Sequence, residues 1–414
     1  MTDSLPFASD PEALGFDSAR LADLDAYMAG MVEAGLVAGT STLLMRHGQV
    51  AAFTTFGHAR LGDAAPLSRD AIFRIYSMTK PVTGVAMMML FEEGRWRLDD
   101  PVTDHLPELT GQKVYVGLAE DRSMLTEDAV RPPAMRELMS HTTGLGYGLF
   151  DVHPVERAYR EAGVMMAHGY QDLVERAAKI PLMFQPGTEW FYSIATDLQA
   201  LVVERLSGQT FGEFLRTRIF APLDMVDTGF QVPADQVHRL AEMYCDDGAG
   251  GLKIAADAFD MPINDYTRPP RFEGGGGGLV STATDYARFC QMILNRGELD
   301  GVRLLKPETI DLMATNVIPD AVLNTYNPLR LLPFSPALGF GLDFAITLDP
   351  QRLRLAEGRG TLSWGGGGGT WFWIDPENDL VFVGLIQRMA DPVSNEFRAK
   401  ARTFTYAALT HPEK

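Results

Sequence analysis

Ile75-Tyr76-Ser77-Met78-Thr79-Lys80-Pro81 sets a serine and a lysine three residues apart at the head of an apolar run. Val82, Val85, Met88, Met89 and Leu90 recur at helical spacing and Gly94 ends the run. The pattern predicts a helix from about Pro81 to Glu93, with its proline in the first turn. Ser77 then stands at a helix N-terminus, where unpaired N–H groups and the positive end of the dipole favour negative charge on a bound carbonyl oxygen. Lys80 falls on nearly the same face. A serine hydroxyl needs a neighbour that takes its proton, and a lysine does so only when its pKa is lowered. Burial and the helix N-terminus both push that way, so a lowered Lys80 pKa is the expectation. S-x-x-K alone is equally a capping serine followed by a surface lysine, and the case rests on partners elsewhere.

Towards the N-terminus, Asp17 is placed to cap a helix carrying Leu21, Leu24, Tyr27, Met28 and Met31 and ending near Gly35. Ser41 to Met45 and Val50 to Phe56 flank Arg46-His47-Gly48-Gln49 as a hairpin. Towards the C-terminus, Leu362 to Ile374 and Leu380 to Ile386 flank Asp375-Pro376-Glu377-Asn378-Asp379, and a helical pattern runs from about Ser394 to Leu409. The intervening chain reads as helical and loop-rich: Met135 to Ser140, Gln171 to Ala178, Ala195 to Leu206, Phe211 to Ile219, and Asp285 to Asn295 with Thr284 or Ser281 as its cap. This order predicts an antiparallel sheet assembled from the two terminal segments, with a helical region inserted between them.

At 46% hydrophobic and 22% charged residues, the 414-residue chain has an ordinary globular balance. Its formal net charge of -18 repels phosphate backbones and anionic membrane surfaces, so neither nucleic acid nor membrane is an expected partner. Cys245 and Cys290 are too few for a disulfide framework, and no spacing suggests a metal. Met1-Thr2-Asp3-Ser4-Leu5-Pro6 has neither a basic start nor an apolar core, and no apolar run is long enough to span a bilayer; with the two thiols, this makes a cytoplasmic protein the expectation. Two runs of five glycines stand out. Gly274 to Gly278 reads as well as a flexible linker as anything else. Gly365 to Gly369 interrupts a strand-like run before Thr370-Trp371-Phe372-Trp373, and a ligand lying along that edge explains glycines that would otherwise only weaken a strand.

Ser77 and Lys80, then Tyr192 in Trp190-Phe191-Tyr192-Ser193-Ile194, then Trp364-Gly365-Gly366 come in that order along the chain. In that order and spacing the sequence resembles the serine hydrolases with the class C β-lactamase and penicillin-binding-protein fold, most closely their family VIII carboxylesterase branch. Ala71-Ile72-Phe73-Arg74, Leu138-Met139-Ser140-His141-Thr142-Thr143-Gly144-Leu145 and Gly278-Leu279-Val280-Ser281-Thr282 extend the resemblance over most of the chain. The resemblance implies an α/β (α+β) two-domain fold: residues 1–70 and 275–414 form one domain, 71–274 an inserted helical domain, and the site lies in the cleft between them. It implies that Tyr192 stands within hydrogen-bond reach of Ser77 and Lys80, where a phenol beside a cationic lysine has a lowered pKa and passes protons. By carry-over, the backbone N–H groups of Ser77 and Gly367 form the oxyanion hole.

Two departures bear on substrate. Where β-lactamases place K-T-G this chain has Trp364-Gly365-Gly366, so the cation that meets a substrate carboxylate is replaced by an apolar face, which Trp371 and Trp373 extend. Ile194 stands where β-lactamases carry an asparagine. Both lean towards neutral, short- to medium-chain acyl esters, bound at Trp364, Gly365, Gly366 and Ile194. Asp197 reads as a helix cap or packing contact and His141 as a turn residue. The expected activity is that of a serine carboxylesterase using no cofactor and no metal. The rivals are an acyltransferase with an alcohol acceptor, weak β-lactamase or D-Ala-D-Ala peptidase activity, and a catalytically dead ligand-binding module. No G-x-S-x-G, G-x-x-x-x-G-K, G-x-G-x-x-G or H-E-x-x-H occurs, which leaves other hydrolase, nucleotide-binding and zincin readings without a foothold.

Overall fold

Asp17 does cap the first long helix, α1 (Ser18–Glu33), accepting a hydrogen bond from the Arg20 amide at 3.1 Å in the computed structural model of the chain. The structure describes residues 5–258, 261–262, 265–324, 335–389 and 392–410; Met1-Thr2-Asp3-Ser4 of the N-terminal stretch lies outside them. Strands β1 (Gly39–Arg46) and β2 (Gln49–Gly57) form the expected hairpin. Helix α2 (Thr79–Glu92) begins two residues after Ser77 and is buried on all sides from Thr79 to Leu90. A helix that is apolar all round belongs inside a core, and α2 is the central one.

The inserted region is less purely helical than expected. It holds an antiparallel hairpin, β3 (Lys113–Leu118) and β4 (Met124–Asp128), before the helices α3 (Tyr170–Ala177) and α4 (Ala195–Ser207). This hairpin leaves Val116, Leu118 and Leu125 exposed, so no buried face marks it in the sequence. Helix α5 (Ala283–Leu294) is capped by Thr282, whose hydroxyl accepts from the Asp285 amide, and by neither of the two residues expected to do so.

The C-terminal segment supplies β5 (Leu338–Phe340), β6 (Ala345–Thr347), β7 (Leu362–Gly366), β8 (Thr370–Asp375), β9 (Leu380–Leu385) and the helix α6 (Pro392–Ala408). All pairings in the seven-stranded sheet are antiparallel, in the order β5-β6-β7-β8-β9-β1-β2. The two ends of the chain therefore meet at β9 and β1, with Ser41 opposite Leu385. Alternation along the strands divides two cores. Leu43, Met45, Phe372, Ile374, Val381 and Val383 face α5 and belong to the core that α2 also enters, while Leu44, Trp371, Trp373, Leu380 and Phe382 belong to the core of the terminal helices α1 and α6.

The run from Leu362 to Ile374 is not one strand. It folds back at Gly367–Gly369 into β7 and β8, with Trp364 opposite Phe372, and Gly369 takes a φ of 84° to close the turn. Strand β6 pairs with β7 at Leu362 and Ser363, so among the described residues the outer edge of Trp364–Gly366 is left to the turn that carries Ser77. No helix among the described residues is long and apolar enough to cross a membrane.

Candidate active site

Ser77 lies in a short 3-10 turn, Tyr76–Met78, that feeds directly into α2. Tyr76 has a φ of 44°, a left-handed backbone that a bulky residue adopts only when its surroundings impose it. The surroundings are visible. Thr370 donates its hydroxyl to the Ile75 carbonyl at 3.2 Å, and Tyr286 of α5 donates to the Met78 carbonyl at 2.8 Å. The sheet and α5 thus grip the turn from both ends and fix where the Ser77 hydroxyl points.

Three of the sequence-derived residues come together. Tyr192 Oη is 2.7 Å from Ser77 Oγ, and Lys80 Nζ is 3.5 Å from the same oxygen. The ammonium sits 4.5 Å from the centre of the Tyr192 ring, within cation–π range. Sequence reasoning missed the two stronger contacts of Lys80: Nζ donates to the carbonyl of Gly276 at 2.6 Å and to Tyr147 Oη at 3.2 Å. Tyr147 comes from the loop after His141, and Gly276 from the middle of the first glycine run. That run is a tight turn packed against α4, so the linker expectation fails. Thr83 of α2 donates to the neighbouring Gly275 carbonyl at 2.8 Å, tying the turn to the same helix that carries Lys80.

These partners reverse the expected charge on Lys80. Burial, at 1% exposure, pulls its pKa down, but Tyr147, Tyr192 and Asp197 together outweigh burial and hold it above the ordinary lysine value. Lys80 is a cation with its three N–H donors directed at Ser77, Tyr147 and Gly276. Of the two roles expected for Asp197, helix cap or packing contact, the structure shows the second: Ile194 is the residue at the cap position of α4. Asp197 lies buried in the first turn and accepts the Gly276 amide at 2.9 Å. His141 is fully buried under the site, its ring 5.0 Å from that of Tyr192 and its Nδ1 3.0 Å from Ser193 Oγ. Burial and the nearby Lys80 hold its pKa well below the ordinary value, so His141 is a neutral platform.

The second glycine run meets the turn that carries Ser77. A Cβ on Gly366 would penetrate the Ile75 carbonyl oxygen, so β7 reaches that turn only because the position is bare. Gly365 points to the opposite face, where a Cβ would stand 2.5 Å from the Arg398 guanidinium carbon; Arg398 donates to the Gly366 and Thr370 carbonyls. Gly367 opens the turn next in line. Trp364 is half-buried, with ring contacts of 5.6 Å to Tyr192 and 5.4 Å to Phe340. Trp371 and Trp373 do not extend that surface: both lie on the other face of the sheet, with Trp373 stacked 4.1 Å from Phe382. Ile194 is fully buried and gives its amide to the Gly146 carbonyl, so its side chain belongs to the core rather than to an exposed wall beside Ser77. Among the described residues no group of His, Cys, Asp and Glu is arranged to hold a metal ion.

The Beta-lactamase family model matches residues 24–407. Protein Rv1367c of Mycobacterium tuberculosis is 36% identical over 362 residues, covering 87% of this chain and 88% of its own. Lovastatin esterase of Penicillium rubens is 30% identical over 351 residues, covering 82% and 84%. Among solved structures, EstCE1, described as a hydrolase with promiscuous acyltransferase activity, superposes with a TM-score of 0.79 at 25% identity, over 94% of this chain and 99% of that one. The match runs from α1 to α6 and takes in the sheet and the buried α2: this chain belongs to the Beta-lactamase family, and its relatives make it a hydrolase of that fold.

Proposed function

We propose that this protein is a serine carboxylesterase acting on neutral esters through an acyl-enzyme on Ser77, in the manner of the family VIII esterases. The observation that carries the reading is the 2.7 Å approach of Tyr192 Oη to Ser77 Oγ beside a lysine held as a cation. In the reactive form Tyr192 is the phenolate, its charge balanced by the Lys80 cation; it takes the Ser77 proton and becomes the neutral phenol as Ser77 Oγ adds to the substrate. Ser77 Oγ attacks the ester carbonyl, and the amides of Ser77 and Gly367 hold the oxyanion. Collapse breaks the bond to the alcohol oxygen, which receives the proton from Tyr192 and leaves. Water repeats the sequence and releases the acid, restoring Ser77.

Trp364 supports a neutral substrate, since an indole stands where β-lactamases present a cation to a carboxylate. In this reading residues 1–70 with 275–414 and residues 71–274 are the two bodies that border the cleft, and the free thiols Cys245 and Cys290 fit a cytoplasmic setting. Ser77→Ala is expected to abolish turnover of p-nitrophenyl butyrate; unchanged turnover would sink the proposal. Acyl transfer to an alcohol is the second reading, favoured by the acyltransferase activity described for EstCE1. Supplying an acyl donor with and without a competing alcohol, and measuring ester against free acid, separates the two.

A further inference from the structure

Gly276 is engaged through both its N–H and its carbonyl. Its N–H donates to Asp197 Oδ1 at 2.9 Å, and its carbonyl accepts from Lys80 Nζ at 2.6 Å. The contact is possible only without side chains: a Cβ on Gly276 would stand 2.5 Å from Asp197 Oδ2, and one on Gly275 2.7 Å from the Thr196 carbonyl. Asp197 is 2% exposed and its Oδ2 has no hydrogen-bond partner in the structure. A buried carboxylate with a free oxygen is costly unless its charge serves a neighbour, and the neighbour here is the ammonium across the peptide.

We propose that Asp197 is a positioning residue for the reaction at Ser77: it holds Gly276 by its N–H so that the carbonyl of the same residue clamps Lys80 as a cation beneath Tyr192. The N–H and the carbonyl of Gly276 belong to successive peptide units joined at its Cα, so Asp197 acts on the clamp by fixing the direction of the residue, and its charge adds a through-space attraction for the ammonium. Other groups share the hold on Lys80. Tyr147 and Tyr192 reach it directly, His141 is neutral, and burial raises the Asp197 carboxyl above its ordinary value and the Asp343 carboxyl well above it, each offset in part by Lys80. Facing Asp197 itself are Lys80, Tyr147 and Tyr170 of α3, whose hydroxyl donates to the Glu273 carbonyl, with Glu204 and Glu273 beyond it.

This inference rests on the esterase reading, and the experiment separates the two. Fluorophosphonate labelling of wild-type Ser77 comes first: no labelling overturns both. With labelling established, Asp197→Asn tests the clamp, because an amide oxygen still accepts the Gly276 N–H while the charge is gone. The expected result is a KM near that of the wild type and a kcat lowered on the order of 10²-fold. The alkaline limb of kcat/KM should lie roughly one to three pH units below the wild-type limb, as Lys80 loses its proton more easily. A variant with the wild-type limb and kcat would overturn the proposal. Should Asp197→Asn not fold, 15N NMR of lysine-labelled wild-type protein, with Lys80→Met for assignment, decides. An ammonium-type Lys80 signal at neutral pH supports the clamp, and a free-amine signal overturns it.

Discussion

Gly274–Gly278 and Gly365–Gly369 are identical in sequence, yet one closes over the Lys80 ammonium and the other ends the strand beside Ser77. In the first, the bare positions let a peptide lie against the first turn of α4, and the group facing the site is a carbonyl, an acceptor suited to a cation. In the second, the bare positions let β7 touch the turn that carries Ser77, and the chain beyond Gly366 folds back at once, the Gly369 amide closing on the Gly366 carbonyl; in the esterase reading the group it offers the site is the Gly367 N–H, a donor suited to an anion. The neighbours differ as well. Gly276 presses on the side chain of Asp197, which has some freedom to give way, whereas Gly366 presses on the main chain at Ile75, which has little. The lesson is that a glycine run is not one kind of object: which end of the peptide is presented, and whether the neighbour is side chain or backbone, decides its role.

Alanine substitutions put that contrast at risk in order of expected effect. Gly366→Ala should be the most severe, costing about 1–3 kcal/mol through overpacking against main chain. It should also cost on the order of 10²–10³ in kcat as the oxyanion turn is displaced. Thermal denaturation and p-nitrophenyl ester kinetics read both, and a variant with near-native kcat would break the claim for the second run. Gly276→Ala comes next: a stability loss of about 1 kcal/mol, since a side chain yields, but a kcat lower on the order of 10²-fold because Lys80 loses its clamp. An intact kcat there would erase the distinction between the runs. Gly365→Ala displaces the far end of Arg398, a flexible group, and should cost only about 1 kcal/mol with a several-fold change in kcat. Gly274→Ala is the control: its nearest atom would be 3.5 Å away, so the melting curve should move by less than about 0.5 kcal/mol equivalent and kcat should stay put.

The residues that sequence made legible are those whose meaning is local. The helix after Ser77 follows from apolar spacing alone, the two terminal hairpins follow from short turns between apolar runs, and the pairing of Ser77 with Lys80 gained its meaning from motifs elsewhere in the chain. Tyr192 became readable only through its motif. Tyr147 and Gly276 were not, because they reach Lys80 across 67 and 196 residues and nothing near them in the chain marks the contact. The sign of the Lys80 shift failed for the same reason: burial was foreseeable, whereas the two phenols and the carboxyl that outweigh it were not. Trp371 and Trp373 were misplaced despite an available signal. Two-residue alternation already sets them on the opposite face from Trp364, and the observed pairing of Trp364 with Phe372 agrees. The β3–β4 hairpin escaped notice because Val116, Leu118 and Leu125 face outwards while Val114 is buried, which leaves no regular apolar face.

The pairing of β1 with β9 also governs how the chain is made. A ribosome delivers β1 and β2 early and β9 almost last, so for most of synthesis one edge of the first hairpin has its hydrogen-bonding groups uncovered. Contacts this distant in sequence form slowly, and an open apolar hairpin invites pairing with neighbouring chains. Yield in a cell should therefore depend on chaperone supply and growth temperature more than the stability of the finished molecule would suggest.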